Sequence, residues 1–155
     1  MELHEAEKLA HELIGKKHLL YREGWSFKFD NAKTRLGSCQ HRSKEITLSR
    51  HVTLVNKESS IRNTLLHEIA HALVGRGHGH DWVWRAKALE IGCNGDRCSM
   101  IEGEIPSKWI AECHGCGTIR TAHRKVTRTR SCGKCSGGTF NSKYLIEYKL
   151  NEELI

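Results

Sequence analysis

The sequence predicts an α+β fold, with helices packed on a short sheet, followed by a small ribbon held by four cysteines. Three observations carry that expectation. Apolar residues recur at helical spacing near the start of the chain and again in its middle. Between those stretches, Trp25, Phe27 and Phe29 alternate with polar residues, and Ile46 and Leu48 repeat the pattern. Further on stand two Cys-x-x-Cys pairs, Cys113 with Cys116 and Cys132 with Cys135.

The chain has 155 residues, enough for one domain with a core of its own plus a small appendage. It carries 25 Lys+Arg against 18 Asp+Glu, a formal charge of +7. That excess favours nucleic acid or another polyanion as a partner. Seven cysteines is an odd number, and Cys39, Cys93 and Cys98 join no second framework. The pattern suits reduced thiols in a cytosolic or nuclear compartment rather than a secreted disulfide fold. Residues 1–7 are charged and lack the apolar core of a signal peptide. No apolar run approaches bilayer thickness, so a soluble protein without a membrane partner is expected.

Taken in order, residues 3–18 read as an amphipathic helix, with Leu3, Ala6, Ala10, Leu13 and Ile14 on one side. His4-Glu5 and His11-Glu12 have no histidine at the right distance to complete a metal pair, and read as solvated helix surface. A half-buried strand follows at Trp25 to Phe29, then two more at 34–40 and 44–49, with a turn at His41-Arg42-Ser43. Val52 and Leu54 continue the apolar pattern, and a serine of Glu58-Ser59-Ser60 offers the cap for the next helix.

That next helix holds the densest chemistry. In Leu65-Leu66-His67-Glu68-Ile69-Ala70-His71 the two histidines lie four residues apart, one turn along one face. Both imidazoles reach one Zn²⁺ at about 2.0–2.1 Å from such positions. Glu68 lies beside them, where it can deprotonate a water. At about 100° per residue, Ile61, Leu65, Leu66, Ile69, Ala70, Ala72 and Leu73 fill a broad apolar arc. The opposite arc holds Thr64, His67, Glu68 and His71, with Glu68 its only formal charge, which suits a cleft better than open water. A catalytic zinc keeps three protein ligands and an open position. After Gly75 ends the helix, the chain offers His78 and His80. His80, just ahead of Asp81, reads as capping or lining the next helix, which runs to about Gly92. Trp82 and Trp84 are expected to wall the site and pack that helix.

Pro106, between glycine and acidic residues, marks a domain boundary. The expected domains are 1–102 and 107–150. In the second, Cys113, Cys116, Cys132 and Cys135 have the spacing of a structural Cys₄ zinc site, which would supply folding energy that so small a segment lacks. Arg120, Arg124, Lys125, Arg128 and Arg130 stand between the pairs with no acidic residue among them. They suit a hairpin with a cationic face that contacts phosphates without reading sequence. Tyr144, Ile146, Tyr148 and Leu150 alternate as a last strand.

Several stretches together resemble the SprT-like family, whose eukaryotic relatives are the Spartan proteases. They are Arg35-Leu36-Gly37-Ser38-Cys39, Lys44-Glu45-Ile46-Thr47-Leu48-Ser49, His67-Glu68-Ile69-Ala70-His71-Ala72, His78-Gly79-His80-Asp81-Trp82 and the Cys₄ ribbon. The resemblance implies a small zincin-like metalloprotease domain followed by a zinc ribbon. It implies His78 as the third zinc ligand, because the family's third histidine precedes a glycine and then an acidic and an aromatic residue. It also implies cleavage of proteins attached to DNA, with DNA as activator, and so a part in DNA–protein crosslink repair. The short gap between His71 and His78 leaves little room for an inserted loop.

The resulting expectation is an HExxH zinc endopeptidase with one catalytic and one structural Zn²⁺. His67, His71 and His78 hold the first ion, the four cysteines the second, and Glu68 is the general base. A sheet edge at residues 44–49 would pair with an extended protein substrate. DNA, single- or double-stranded, would bind irrespective of sequence. Two rivals stand beside this reading: a non-catalytic DNA-binding module with two structural zincs, and a zinc hydrolase of a non-protein amide. A purely structural site has no need of Glu68, which speaks against the first.

Overall fold

The computed structural model describes residues 1–97 and 100–151, so Cys98 lies outside the described residues. It forms two compact units, Met1–Ile105 and Pro106–Ile155. No helix among the described residues is long and apolar enough to cross a membrane.

The first unit opens with α1, Leu3–Ala10, which continues into a π-helical turn at His11–Lys17. The sequence periodicity predicts one regular helix here. The wider turn keeps Ala10, Leu13 and Ile14 buried while Gly15 faces the ring of Tyr21. A Cβ on Gly15 would lie 2.7 Å from that ring, so the position accepts only glycine without a shift of Tyr21.

Three strands follow: β1 Ser26–Asp30, β2 Gly37–Gln40 and β3 Glu45–Ser49. Their order is β1-β3-β2, with β3 parallel to β1 and antiparallel to β2. Strand β3 is therefore central, and both its edges are occupied. The open edge expected at 44–49 belongs instead to β2. That strand is shorter than expected because Asp30 folds the chain ahead of it. The Asp30 carboxylate accepts from the Ala32 N–H, the Thr47 hydroxyl and the Arg35 guanidinium. Ile46 and Leu48 enter the core, while Thr47 on the other face bonds Ser38 and Asp30.

Val52 and Leu54 belong to a short helix, α2 Arg50–Val55, whose cap is Ser49 accepting from the Val52 N–H. The long helix α3, Glu58–Val74, has Lys57 at its cap position and no serine cap. Ser60 instead donates to Glu102, whose carboxylate also accepts the Lys57 N–H. A residue distant in sequence thus satisfies the first turn that Ser59 or Ser60 was expected to cap. Gly75 ends α3 at φ 81°, and Asp81 caps α4, Trp82–Glu90, by accepting from the Trp84 N–H.

In the second unit, β4 Trp109–Glu112 pairs with β5 Ile119–Ala122, and β6 Arg130–Ser131 pairs with β7 Leu145–Ile146. A last strand, β8 Lys149–Leu150, returns to β4. Two expectations change. Strands β5 and β6 join different partners, so the cationic segment is two strand ends and a loop rather than one hairpin. The alternating 144–150 stretch is two short strands, because β7 serves β6 and β8 serves β4. The unit's core is small: Ala111, Cys113, Cys132 and Ile146, with Cys116, Cys135, Tyr144 and Tyr148 packed against them.

Candidate metal centres

Helix α3 is buried nearly all round, and its polar arc with it: His67 is 8% exposed and Glu68 9%. The helical repeat puts His67 and His71 one turn apart, and the tertiary fold brings a third imidazole to them. The third is His80. Its Nε2 lies 2.9 Å from Nε2 of His67 and 3.2 Å from Nε2 of His71. Trp84 forms the floor. It is fully buried, its ring centroid is 4.6 Å from those of His67 and His80, it stacks on His71 at 5.2 Å, and its indole N–H donates to the His67 carbonyl. Trp82, expected to share that work, is 80% exposed.

His78 does not join the cluster. Its Nδ1 is 2.8 Å from the Asp81 carboxylate. The physical reason is the start of α4: Asp81 at the cap accepts from the Trp84 N–H and also pairs with His78. That pairing leaves His80 directed at α3. The structure thus brings His80, rather than the expected His78, within reach of His67 and His71. The available signal was Asp81 itself, a carboxylate three residues after His78 that gives this histidine a partner and leaves His80 the free imidazole.

The donor set fits a metal. Four ligands around a tetrahedral ion with bonds of about 2.0–2.1 Å stand about 3.3 Å apart, close to the spacing of these nitrogens. Burial, then the His80 imidazole, push His67 down to about 4. Burial, then His67, His80 and His41, do the same for His71, also to about 4. Burial, then Arg97, lowers His80. All three rings are thus held neutral at pH 7 with lone pairs to offer. His67, His71 and His80 form one of two groups among the described residues able to hold an ion.

Glu68 lies beside the cluster in a cleft of about 250 Å³ lined by Arg35, Leu36, Gly37, Thr64, Arg97 and Ile101 among others. Burial pushes its carboxyl up to about 7, against the Arg35 charge and the Cys39 backbone N–H. Gly37 lets β2 approach this closely: a Cβ there would lie 2.8 Å from the Thr47 carbonyl and 3.2 Å from Glu68. The open edge of β2 thereby runs past Glu68.

The second group is Cys113, Cys116, Cys132 and Cys135. Sγ of Cys113 is 3.8 Å from that of Cys135, and Sγ of Cys116 is 3.7 Å from that of Cys132. These are free thiols at the edge length of a tetrahedron with metal–sulfur bonds of about 2.3 Å, which is about 3.8 Å. Hydrogen bonding to Thr118 lowers Cys116 to about 6, whereas the neighbouring thiols push Cys135 up to about 12. Four crowded thiols cannot all ionise without a cation between them. Arg120, Arg124, Lys125, Arg128 and Arg130 are all exposed, and none makes an ion pair among the described residues.

A mixed helix-and-sheet unit with three convergent histidines on and after one helix, and a separate four-cysteine unit, define a chain with two metal-ligand clusters. The SprT-like family model matches residues 4–102, and the chain belongs to the SprT-like family. Among solved structures it is similar to the metallopeptidase zymogen abylysin of Pyrococcus abyssi, at 22% identity and a TM-score of 0.44 over 59% of this chain and 83% of that one. No curated protein matches the sequence.

Proposed function

We propose that the first unit is a zincin-like, zinc-dependent endopeptidase, with His67, His71 and His80 as its metal ligands and Glu68 as its general base. The observation that carries this is the convergence of three Nε2 atoms beside a buried carboxylate and an open strand edge. A zinc ion held there supplies Lewis-acid polarisation of the scissile carbonyl and lowers the pKa of the attacking water. Glu68 takes the proton from that water and passes it to the leaving amine. Burial raises that carboxyl above the ordinary carboxylate range, the direction that a proton carrier requires. Strand β2, rather than residues 44–49, offers backbone groups to an extended protein substrate. Trp84 and Asp81 position the ligands from behind. Membership in the family supports the peptidase reading, and the Cys₄ cluster is read as a structural zinc ribbon on its sulfur spacing.

The test is Glu68→Gln. The amide keeps the shape but accepts no proton, so the variant retains zinc and fold while cleavage falls by about 10²–10⁴-fold. Near-normal cleavage by zinc-loaded Glu68→Gln removes the general-base role. Cleavage of small amides but of no protein substrate favours the non-protein hydrolase.

A second reading rests on the five exposed cations of the ribbon, none of them ion-paired among the described residues. They suit a sequence-independent grip on single- or double-stranded DNA, which would direct the peptidase to DNA-associated or crosslinked proteins.

A further inference from the structure

We infer that the cleft beside Glu68 is an anion-binding subsite, in which Arg97, assisted by Arg35, takes a carboxylate of a peptide substrate. The inference rests on the peptidase reading above and adds a substrate class to it. Two arginines line this cleft, and Glu68 is the only carboxylate among its described lining residues. Arg35 is fixed: its guanidinium donates to Asp30 at 2.7 Å, and Asp30 is itself tied to Ala32 and Thr47. Arg97 is exposed, lines the cleft, and makes no ion pair among the described residues, so its guanidinium has donors to offer a ligand there.

Size and lining favour a carboxylate over a nucleotide phosphate. About 250 Å³ is below the roughly 300–1,000 Å³ of sites for drug-sized ligands, and suits one side chain. Leu36 and Ile101 offer apolar walls to the short stem of an acidic residue, and the guanidinium groups offer its head a charge-assisted pair. The strand edge of β2 begins where Arg35 and Leu36 end, so a peptide paired on that edge passes the cleft mouth. The carboxylate has two sources, an Asp or Glu side chain near the scissile bond or the α-carboxylate of a chain end.

The experiment uses the zinc-loaded full chain carrying Glu68→Gln, so that peptides are bound and not consumed. Dissociation constants are measured for three fluorescent peptides: internal Glu with an amidated end, internal Gln with an amidated end, and internal Gln with a free C-terminal carboxylate. A carboxylate peptide binding about tenfold or more tighter than the neutral one is expected, and which of the two does so names the source. Arg97→Ala on the same background abolishes the difference, and Arg97→Lys restores part of it. Equal binding of all three peptides overturns the inference, as does a preference that survives Arg97→Ala. So does an Arg97→Ala protein that loses oligonucleotide binding while its peptide affinities stand, which assigns the cleft to phosphate. Each variant's unfolding transition is recorded alongside. Cleavage of the same peptides by protein with Glu68 intact is scored separately: no cleavage of any peptide strikes the peptidase reading, while the binding series still decides the subsite.

Discussion

The two metal-ligand clusters of this chain are built on opposite principles. The histidine cluster sits on a unit with a core of its own, running from Ala6 and Leu13 through Ile46 and Leu65 to Trp84. The cysteine cluster is the core of its unit: Cys113 and Cys132 are two of the four buried residues among those described there, and Cys116 and Cys135 pack against them. The histidines are three, and one of them, His67, lines the cleft beside Glu68, whereas the cysteines are four at the spacing of a tetrahedron. Under the proposed reading, an ion in the first would serve chemistry and be dispensable for folding, and an ion in the second would stand in for apolar burial that so small a unit lacks.

The sharpest way to break that contrast is to remove one ligand from each cluster. Cys113→Ser should unfold the second unit, seen as loss of amide protection for β4 to β8, while the first unit keeps its own unfolding transition. A protected, folded ribbon in the serine variant would show that its few apolar contacts suffice. His80→Ala should leave the fold intact yet weaken metal binding at the helix site by orders of magnitude, whereas His78→Ala should keep its metal. Metal analysis after mild chelation distinguishes them, and retention by His80→Ala with loss from His78→Ala would reverse the ligand assignment made here.

Trp84→Ala tests whether the histidine floor belongs to the core. The side chain is fully buried under all three rings, so the cost should be about 3–5 kcal/mol of unfolding free energy by denaturant titration. A cost confined to metal affinity, with stability unchanged, would make Trp84 part of the site alone. The smallest effect concerns the ribbon's surface. Replacing Arg124, Lys125 and Arg128 with Ala should leave folding and basal cleavage unchanged while flattening the salt dependence of DNA binding by about one unit of slope per lost contact. Identical slopes for wild type and variant would reduce these cations to a solvated surface.

Local spacing made much of the helix site legible. A four-residue interval puts His67 and His71 on one face whatever the rest of the chain does, and the arc around them, with Glu68 its single charge, already implied a cleft. The paired cysteines were equally plain, because Cys-x-x-Cys brings two thiols together within one turn of chain. Strand periodicity located β1 and β3, and Gly75 and Asp81 marked helix ends through chemistry confined to a few residues.

What spacing could not carry was the choice among residues equally near in sequence. His78 and His80 lie in one loop, and only the packing of α4 on α3 through Trp84, with Asp81 turned to His78, sends His80 to the cluster. Strand order was hidden for the same reason: periodicity shows which faces of β3 are apolar but not that β1 and β2 flank it and leave the edge beside Glu68 to β2. Arg97 came to the cleft from a loop after α4, and Glu102 to the first turn of α3 from farther still. Sequence by itself determined the pairs and periods that one turn or one strand enforces, because those rest on fixed backbone geometry. The third imidazole of the cluster, the open edge and the cleft's arginines were decided by tertiary structure, because each depends on which elements the core draws together.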